Sequence, residues 1–164
     1  AVLVGGRLKA ARELLVTAES CTGGWIAKAC TDRAGSSQWF RGGVVAYTNE
    51  LKVALLGVRP RTLEEHGAVS EECVREMAAG AMERAGADVA IATSGVAGPS
   101  GGSPEHPVGT VCIALVGDGK RAARRYQLRG NRDWIKILTG QVALDWLRRY
   151  ALGLPIGESA LFRR

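Results

Sequence analysis

The sequence predicts a single α/β domain in which helices pack on one mixed sheet. An apolar run over residues 14–18 leads through a glycine turn into helical spacing at residues 25–31, which is typical of a strand–turn–helix unit. Residues 89–93 are uncharged and rich in β-branched side chains, as in a central strand. Two strand-like runs within residues 110–128 flank Gly117-Asp118-Gly119, which indicates a hairpin.

The remaining elements follow in order along the chain. We expect a helix over residues 7–14, a second strand over residues 42–47 and a helix over residues 49–56 that begins after Thr48 or Asn49.

Ser70 is expected to cap a helix over residues 71–85, and Asn131 to cap a long helix over residues 133–150. Between them, residues 94–107 contain four glycines and three prolines, which disfavours a helix or strand running through this segment.

Length and composition indicate one globular domain. We place it at residues 1–152 of the 164, with residues 153–164 as a tail, because the tail shows no periodicity. A hydrophobic content of 46% with 23% charged residues excludes a disordered chain. No apolar run approaches the roughly 18 residues of a membrane span, so we expect no membrane partner. No signal peptide is visible, and we therefore expect a cytoplasmic location.

Neither the cysteines nor the charges predict a metal or nucleic-acid site. Cys21, Cys30, Cys73 and Cys112 form no CxxC pair and lie far from both histidines, so free thiols and no metal are expected. The net charge of +6 is concentrated in residues 120–164, where eleven basic residues face three acidic ones. Such a segment suits an anionic ligand or nucleic acid, but aromatic residues do not interleave its arginines. A solvated face is expected, and nucleic acid is not an expected partner.

Two segments carry candidate catalytic groups. Ser20 lies where a strand ends and a helix begins, so its hydroxyl could attack a carbonyl while the following amides face the developing charge. Alternatively, Ser20 or Thr22 only caps that helix, and either hydroxyl could be the nucleophile. Lys52 could act as the base if burial keeps it neutral, with Tyr47 near the same pocket. The alternative is a solvated lysine.

Two further segments suit anion binding. The glycine-rich loop from Ser94 to Gly102 follows a central strand, at the sheet edge where open α/β sheets bind ligands, although a plain turn is equally compatible. Arg132 stands at the start of the last helix, where it opposes the helix dipole. It could bind a phosphate or carboxylate, or simply be exposed.

Taken together, these segments resemble the CinA carboxy-terminal domain family. The matching motifs run in order from about Thr17 to Leu147: TAESCTGGWIA, AGSSQWFRGGVVAYTNELK, HGAVSEE, SGVAGPSGGSPEHPVGTV and GNR. The resemblance implies the fold of that family, described as CinA C-terminal-like, and an amidohydrolase activity. In that reaction the carboxamide of nicotinamide mononucleotide is hydrolysed to nicotinic acid mononucleotide and ammonia, in pyridine-nucleotide (NAD) recycling, without cofactor or metal.

The resemblance also implies residue roles and partners. Ser20, Lys52 and Tyr47 are expected to be catalytic. The residues expected to bind substrate are Glu19, Thr22, Gly23, Gly24, Thr48, Asn49, Ser94, Gly95, Gly98, Gly101, Gly102 and Arg132. A nucleotide substrate and a homo-oligomer of two or more chains are the expected partners. The competing interpretation is a non-catalytic module that binds a nucleotide or a protein in competence or the response to DNA damage.

Overall fold

A five-stranded sheet forms the centre of the computed structural model, which describes residues 1–157. Its strands are β1 (Leu15–Glu19), β2 (Phe40–Val45), β3 (Val89–Gly95), β4 (Thr110–Gly117) and β5 (Lys120–Gln127). Their spatial order is β2-β1-β3-β4-β5. Strand β1 pairs in parallel with both β2 and β3, whereas β4 and β5 continue the sheet as an antiparallel hairpin. The predicted mixed sheet in an α/β domain is confirmed.

Helices cover both faces of this sheet. They are α1 (Val2–Ala11), α2 (Trp25–Thr31), α3 (Asn49–Leu56), α4 (Pro60–His66), α5 (Glu71–Ala85) and α6 (Arg132–Ala151). Helix α5 packs on one face with α3 and α4 beside it, and α6 packs on the other face with α1 and α2. None of the helices within residues 1–157 is both long enough and apolar enough to span a bilayer.

Alternation along the central strands divides the core into two layers. On β3, Val89 and Ile91 belong to the cluster beneath α6, whereas Ala90 and Ala92 belong to the cluster beneath α5. Because alanines face α5, this helix can approach the sheet closely. Larger side chains such as Met77 on α5 are fully buried there, and each contributes about 1.5–3 kcal/mol through burial.

Two glycines allow close helix contacts. A Cβ at Gly80 of α5 would lie 1.6 Å from the Leu56 carbonyl oxygen at the end of α3. A Cβ at Gly140 of α6 would lie 2.2 Å from the indole of Trp25, the first residue of α2. These contacts fix α3 against α5 and α2 against α6, so the turns that precede α2 and α3 are held at defined positions over the sheet.

Two predicted elements have different bounds in the structure, and one helix was not predicted. The first helix spans Val2–Ala11 rather than residues 7–14, because the chain reverses at Arg12 in a left-handed conformation (φ 58°). The second strand spans Phe40–Val45 rather than residues 42–47, since the carbonyls of Ala46 and Tyr47 turn toward the Lys52 side chain. Helix α4 was not predicted, although Pro60 occupies its first turn.

The last described residues pack back onto the domain. The carbonyl of Gly157 accepts hydrogen bonds from Arg124 and from the Tyr126 hydroxyl, and Ile156 packs against the core beneath α6. Residues 158–164 of the predicted tail lie outside the described residues. The boundary at residue 152 stays a prediction.

Candidate functional site

A cavity of about 270 Å³ opens at the carboxyl ends of β1 and β3. Parallel strands end at the same edge of a sheet, so the segments that follow β1, β2 and β3 meet there. Fifteen residues line the cavity: Ser20, Cys21, Tyr47, Asn49, Lys52, Ala68, Val69, Ser94, Gly95, Val96, Ala97, Gly98, Ser100, Gly101 and Arg132. Backbone and small side chains therefore form most of the wall, and the only charged groups in this lining are Lys52 and Arg132.

Ser20 and Lys52 meet at the base of this cavity. The Lys52 Nζ lies 3.2 Å from the Ser20 Oγ, 3.1 Å from the Ala46 carbonyl oxygen and 3.3 Å from the Tyr47 carbonyl oxygen. Carbonyls only accept hydrogen bonds, so a neutral amine donates its two protons to them. Its lone pair is then available to the Ser20 hydroxyl, which is the arrangement a general base needs.

The environment of Lys52 favours the neutral amine. The side chain is only 2% exposed, and burial lowers the pKa of Lys52 below its ordinary value of 10.5. The nearby Cys73, Cys21 and Glu50 oppose this shift more weakly. Within residues 1–157, no carboxylate forms an ion pair with Lys52. The deprotonated form is therefore more abundant near neutral pH than it is for a surface lysine.

Cys21 lies next to Ser20 and also lines the cavity. Burial raises the pKa of its thiol to about 12, so the thiolate that would make it a nucleophile is scarce. Of these two neighbouring side chains, only Ser20 has a base in contact.

Glu19 occupies the opposite side of β1 from the cavity. Its carboxylate is fully buried and accepts four hydrogen bonds: from the Thr22 hydroxyl at 2.6 Å and from the amides of Gly24, Ile26 and Ala27 at 3.0, 3.1 and 2.8 Å. A carboxylate at a helix N-terminus is favourable, because it satisfies free N–H groups and complements the dipole. Glu19 thus fixes the turn between β1 and α2.

Thr22, Gly23 and Gly24, which were predicted to bind the substrate, form hydrogen bonds that hold this turn. The Thr22 and Thr93 hydroxyls are 2.9 Å apart, which ties the turn to β3. The Gly23 amide donates to the Ser20 carbonyl, and the Gly24 amide is taken by Glu19. These two amides, which are among those predicted to face the developing charge after Ser20, are therefore already engaged.

Arg132 spans the mouth of the cavity. Its Nη1 donates to the Gly98 carbonyl at 2.6 Å and its Nη2 to the Tyr47 hydroxyl at 3.1 Å. Asn131 sets this position, because its side chain caps α6 by accepting from the Trp134 amide at 2.9 Å. The guanidinium thus links the glycine-rich loop on one side of the opening to Tyr47 on the other.

Most of the predicted site residues come together in this cavity. Those that line it are Ser20, Tyr47, Asn49, Lys52, Ser94, Gly95, Gly98, Gly101 and Arg132. Those that do not are Glu19, Thr22, Gly23, Gly24, Thr48 and Gly102. Thr48 instead caps α3 by accepting from the Leu51 amide at 3.3 Å.

Several lining residues were not named individually as site residues: Cys21, Ala68, Val69, Val96, Ala97 and Ser100. All but two adjoin predicted positions in sequence, and Ala68 and Val69 lie just before the predicted cap Ser70. The Ser94 hydroxyl links the glycine-rich loop to the Ala68-Val69 segment by donating to the Ala68 carbonyl at 2.7 Å. Within residues 1–157, no three His, Cys, Asp or Glu side chains converge as metal ligands do.

Comparisons with known proteins all identify one family. The model of the CinA C-terminal domain matches residues 1–151. A CinA-like protein of Mycobacterium marinum is 54% identical over 87% of this chain and 34% of its own length. A CinA-like protein of Geotalea daltonii is 48% identical over 93% of this chain and 37% of its own length. The chain thus spans about a third of the length of these curated relatives.

Solved structures agree with this assignment. A crystal structure of a competence-damaged protein (CinA) superfamily member from Klebsiella pneumoniae is 39% identical, with a TM-score of 0.88, over 92% of this chain and 94% of that one.

Proposed function

Because the chain belongs to the CinA C-terminal domain family, we propose that its cavity is the active site of an amidohydrolase. The substrate is nicotinamide mononucleotide, whose carboxamide reacts with water to give nicotinic acid mononucleotide and ammonia. The observation that carries this proposal is the 3.2 Å contact between the Ser20 hydroxyl and the buried Lys52 amine at the base of the cavity.

In the first half of the reaction, Ser20 Oγ attacks the amide carbon and its proton passes to Lys52 Nζ. The C–N bond breaks as Lys52 returns that proton to the leaving nitrogen, which departs as ammonia. In the second half, water attacks the acyl carbon and gives a proton to Lys52. The ester bond to Ser20 breaks, and the proton returns to Ser20 Oγ, so that the starting state is restored.

The oxyanion needs donors other than those of the Gly23-Gly24 turn. The backbone N–H of Cys21 immediately follows the nucleophile in a residue that lines the cavity, a position that often supplies such a donor in serine hydrolases. Further candidate donors are the backbone N–H groups of Gly95 and Ala97, two residues of the glycine-rich loop that line the same cavity. Fixed backbone dipoles of this kind stabilise developing charge without reorganisation.

The substrate phosphate is assigned to the mouth of the cavity. Arg132 donates one N–H from Nη1 to the Gly98 carbonyl and one from Nη2 to the Tyr47 hydroxyl. A guanidinium carries five N–H donors in total. Donors therefore remain for a phosphate, beside the loop residues Ser100 and Gly101.

The test is ammonia release from nicotinamide mononucleotide. Ser20→Ala and Lys52→Ala should each lower kcat by about 10²- to 10⁴-fold or more, because each removes one partner of the proton transfer. The matched control is Lys9→Ala, since Lys9 is exposed and lies outside the cavity. Near wild-type turnover in either variant would refute the dyad. Nucleotide binding without ammonia release by the unaltered protein would instead support a non-catalytic module.

A further inference from the structure

Tyr47 lines the cavity and contacts both the Lys52 amine and the Arg132 guanidinium. Its carbonyl oxygen accepts from the Lys52 Nζ, and its hydroxyl accepts from the Arg132 Nη2. Among the described residues that line the cavity, Tyr47 is the only aromatic one, and 57% of it is exposed. An exposed aromatic side chain thus belongs to the residue that contacts both the Lys52 amine and Arg132.

Among the residues that line the cavity, none offers a carboxylate to a cationic substrate ring. The lining contains Lys52 and Arg132 but no Asp or Glu. Three carboxylates adjoin lining residues in sequence, and none of them lines the cavity. Glu19 is fully buried and accepts four hydrogen bonds in the α2 turn, whereas Glu50 and Asp133 are exposed in the first turns of α3 and α6. A pyridinium that enters this cavity therefore meets polar backbone, small side chains and one aromatic ring.

On the basis of the proposed function, we propose that the aromatic face of Tyr47 binds the cationic pyridinium ring of the substrate and selects it over a neutral ring. The ring quadrupole attracts a cation placed over its face. The hydrogen bond from Arg132 orients the ring while the same guanidinium faces the phosphate.

This role differs from the catalytic role expected from the sequence. The hydroxyl of Tyr47 bonds to Arg132, whereas the hydrogen-bond partners of the Lys52 amine are Ser20 Oγ and two carbonyls. The leaving ammonia thus receives its proton from Lys52, and Tyr47 acts through its ring. Its substitution should change substrate affinity more than kcat.

The experiment measures dissociation constants in the Ser20→Ala background, where no turnover interferes. The ligands are nicotinamide mononucleotide and benzamide riboside 5′-monophosphate, a neutral analogue in which carbon replaces the charged ring nitrogen. Adding Tyr47→Leu should weaken binding of the cationic ligand by about 3- to 30-fold, the range of a cation–π contact. It should weaken the neutral ligand by a clearly smaller factor.

Tyr47→Phe separates the ring from the hydroxyl. It keeps the aromatic face and loses the bond to Arg132, so its effect on binding of the cationic ligand should be smaller than that of Tyr47→Leu. The control is Leu55→Ala, which removes another exposed apolar side chain outside the cavity and should leave both dissociation constants unchanged.

Each other outcome decides a separate claim. Equal weakening of both ligands by Tyr47→Leu would overturn selection by charge. In the protein that retains Ser20, a kcat at least about 100-fold lower in Tyr47→Phe would identify the hydroxyl as a proton donor and overturn the statement that Tyr47 acts only through its ring. Failure of the Ser20→Ala protein to bind either nucleotide would refute the proposed function itself.

Discussion

Removing the Glu19 carboxylate should destabilise the domain, because the turn between β1 and α2 loses its hydrogen-bond acceptor. The four donors that this carboxylate satisfies come from the hydroxyl of Thr22 and from three amides at the start of α2. In Glu19→Ala, the Thr22 hydroxyl can still bond to Thr93 at 2.9 Å. The amide of Ile26, a residue with no exposed surface, has no substitute acceptor.

The size of the effect follows from this inventory. A buried donor left without a partner costs about 1–3 kcal/mol, and a hydrogen bond to a charged group contributes about 1.5–3 kcal/mol. The amides of Gly24 and Ala27 are less buried, so hydrogen bonds to water can offset part of their loss of free energy. Glu19→Ala should therefore lower the free energy of unfolding by about 3–5 kcal/mol. Glu19→Gln keeps one acceptor oxygen but turns an NH₂ group toward the amides, and should lower it by about 1.5–3 kcal/mol.

The assay is urea unfolding, read as a shift of the midpoint at constant m value. The matched control is Glu64→Gln, because Glu64 is exposed on α4, where such a change stays within about 0.5 kcal/mol. If Glu19→Gln is as stable as Glu64→Gln, the carboxylate does not hold the turn. The argument that it positions Ser20 would then fail.

Two further predictions concern the cavity. Activity should fall with decreasing pH, because protonation of Lys52 removes the base. Since burial lowers the pKa of Lys52, the acidic limb of kcat/KM should lie below the ordinary lysine value of 10.5, and a limb at 10.5 would contradict a neutral base. Arg132→Ala should raise KM by about 10-fold or more, the loss of a charge-assisted hydrogen bond, with a smaller change in kcat. The control is the exposed Arg129→Ala, and an unchanged KM for Arg132→Ala would remove Arg132 from the phosphate site.

The elements that could be predicted are those whose local chemistry is unambiguous. Helix α5 has Ser70 as a cap that accepts from the Cys73 amide, and Gly86 ends it in a left-handed conformation. Strand β3 is apolar because the sheet buries both of its faces. Helix α1 was misplaced because Arg12, a non-glycine residue, makes the left-handed reversal, and residue type does not predict this well.

The alternation of β1 explains why Ser20 lines the cavity and Glu19 does not. Val16 and Ala18 face the layer beneath α5, and Ser20 continues that side, where Lys52 lies. Leu15 faces the α6 layer, and Glu19 continues that side toward α2.

A strand places consecutive residues on opposite faces, so Glu19, next to Ser20 at the end of β1, points away from the cavity that Ser20 lines. That rule could have been applied to the sequence, and it would have assigned Glu19 to the turn. The distance between Ser20 and Lys52 could not be obtained in this way. It depends on the parallel pairing of β1 with β2 and on the contact of α3 with α5 at Gly80, neither of which is encoded locally.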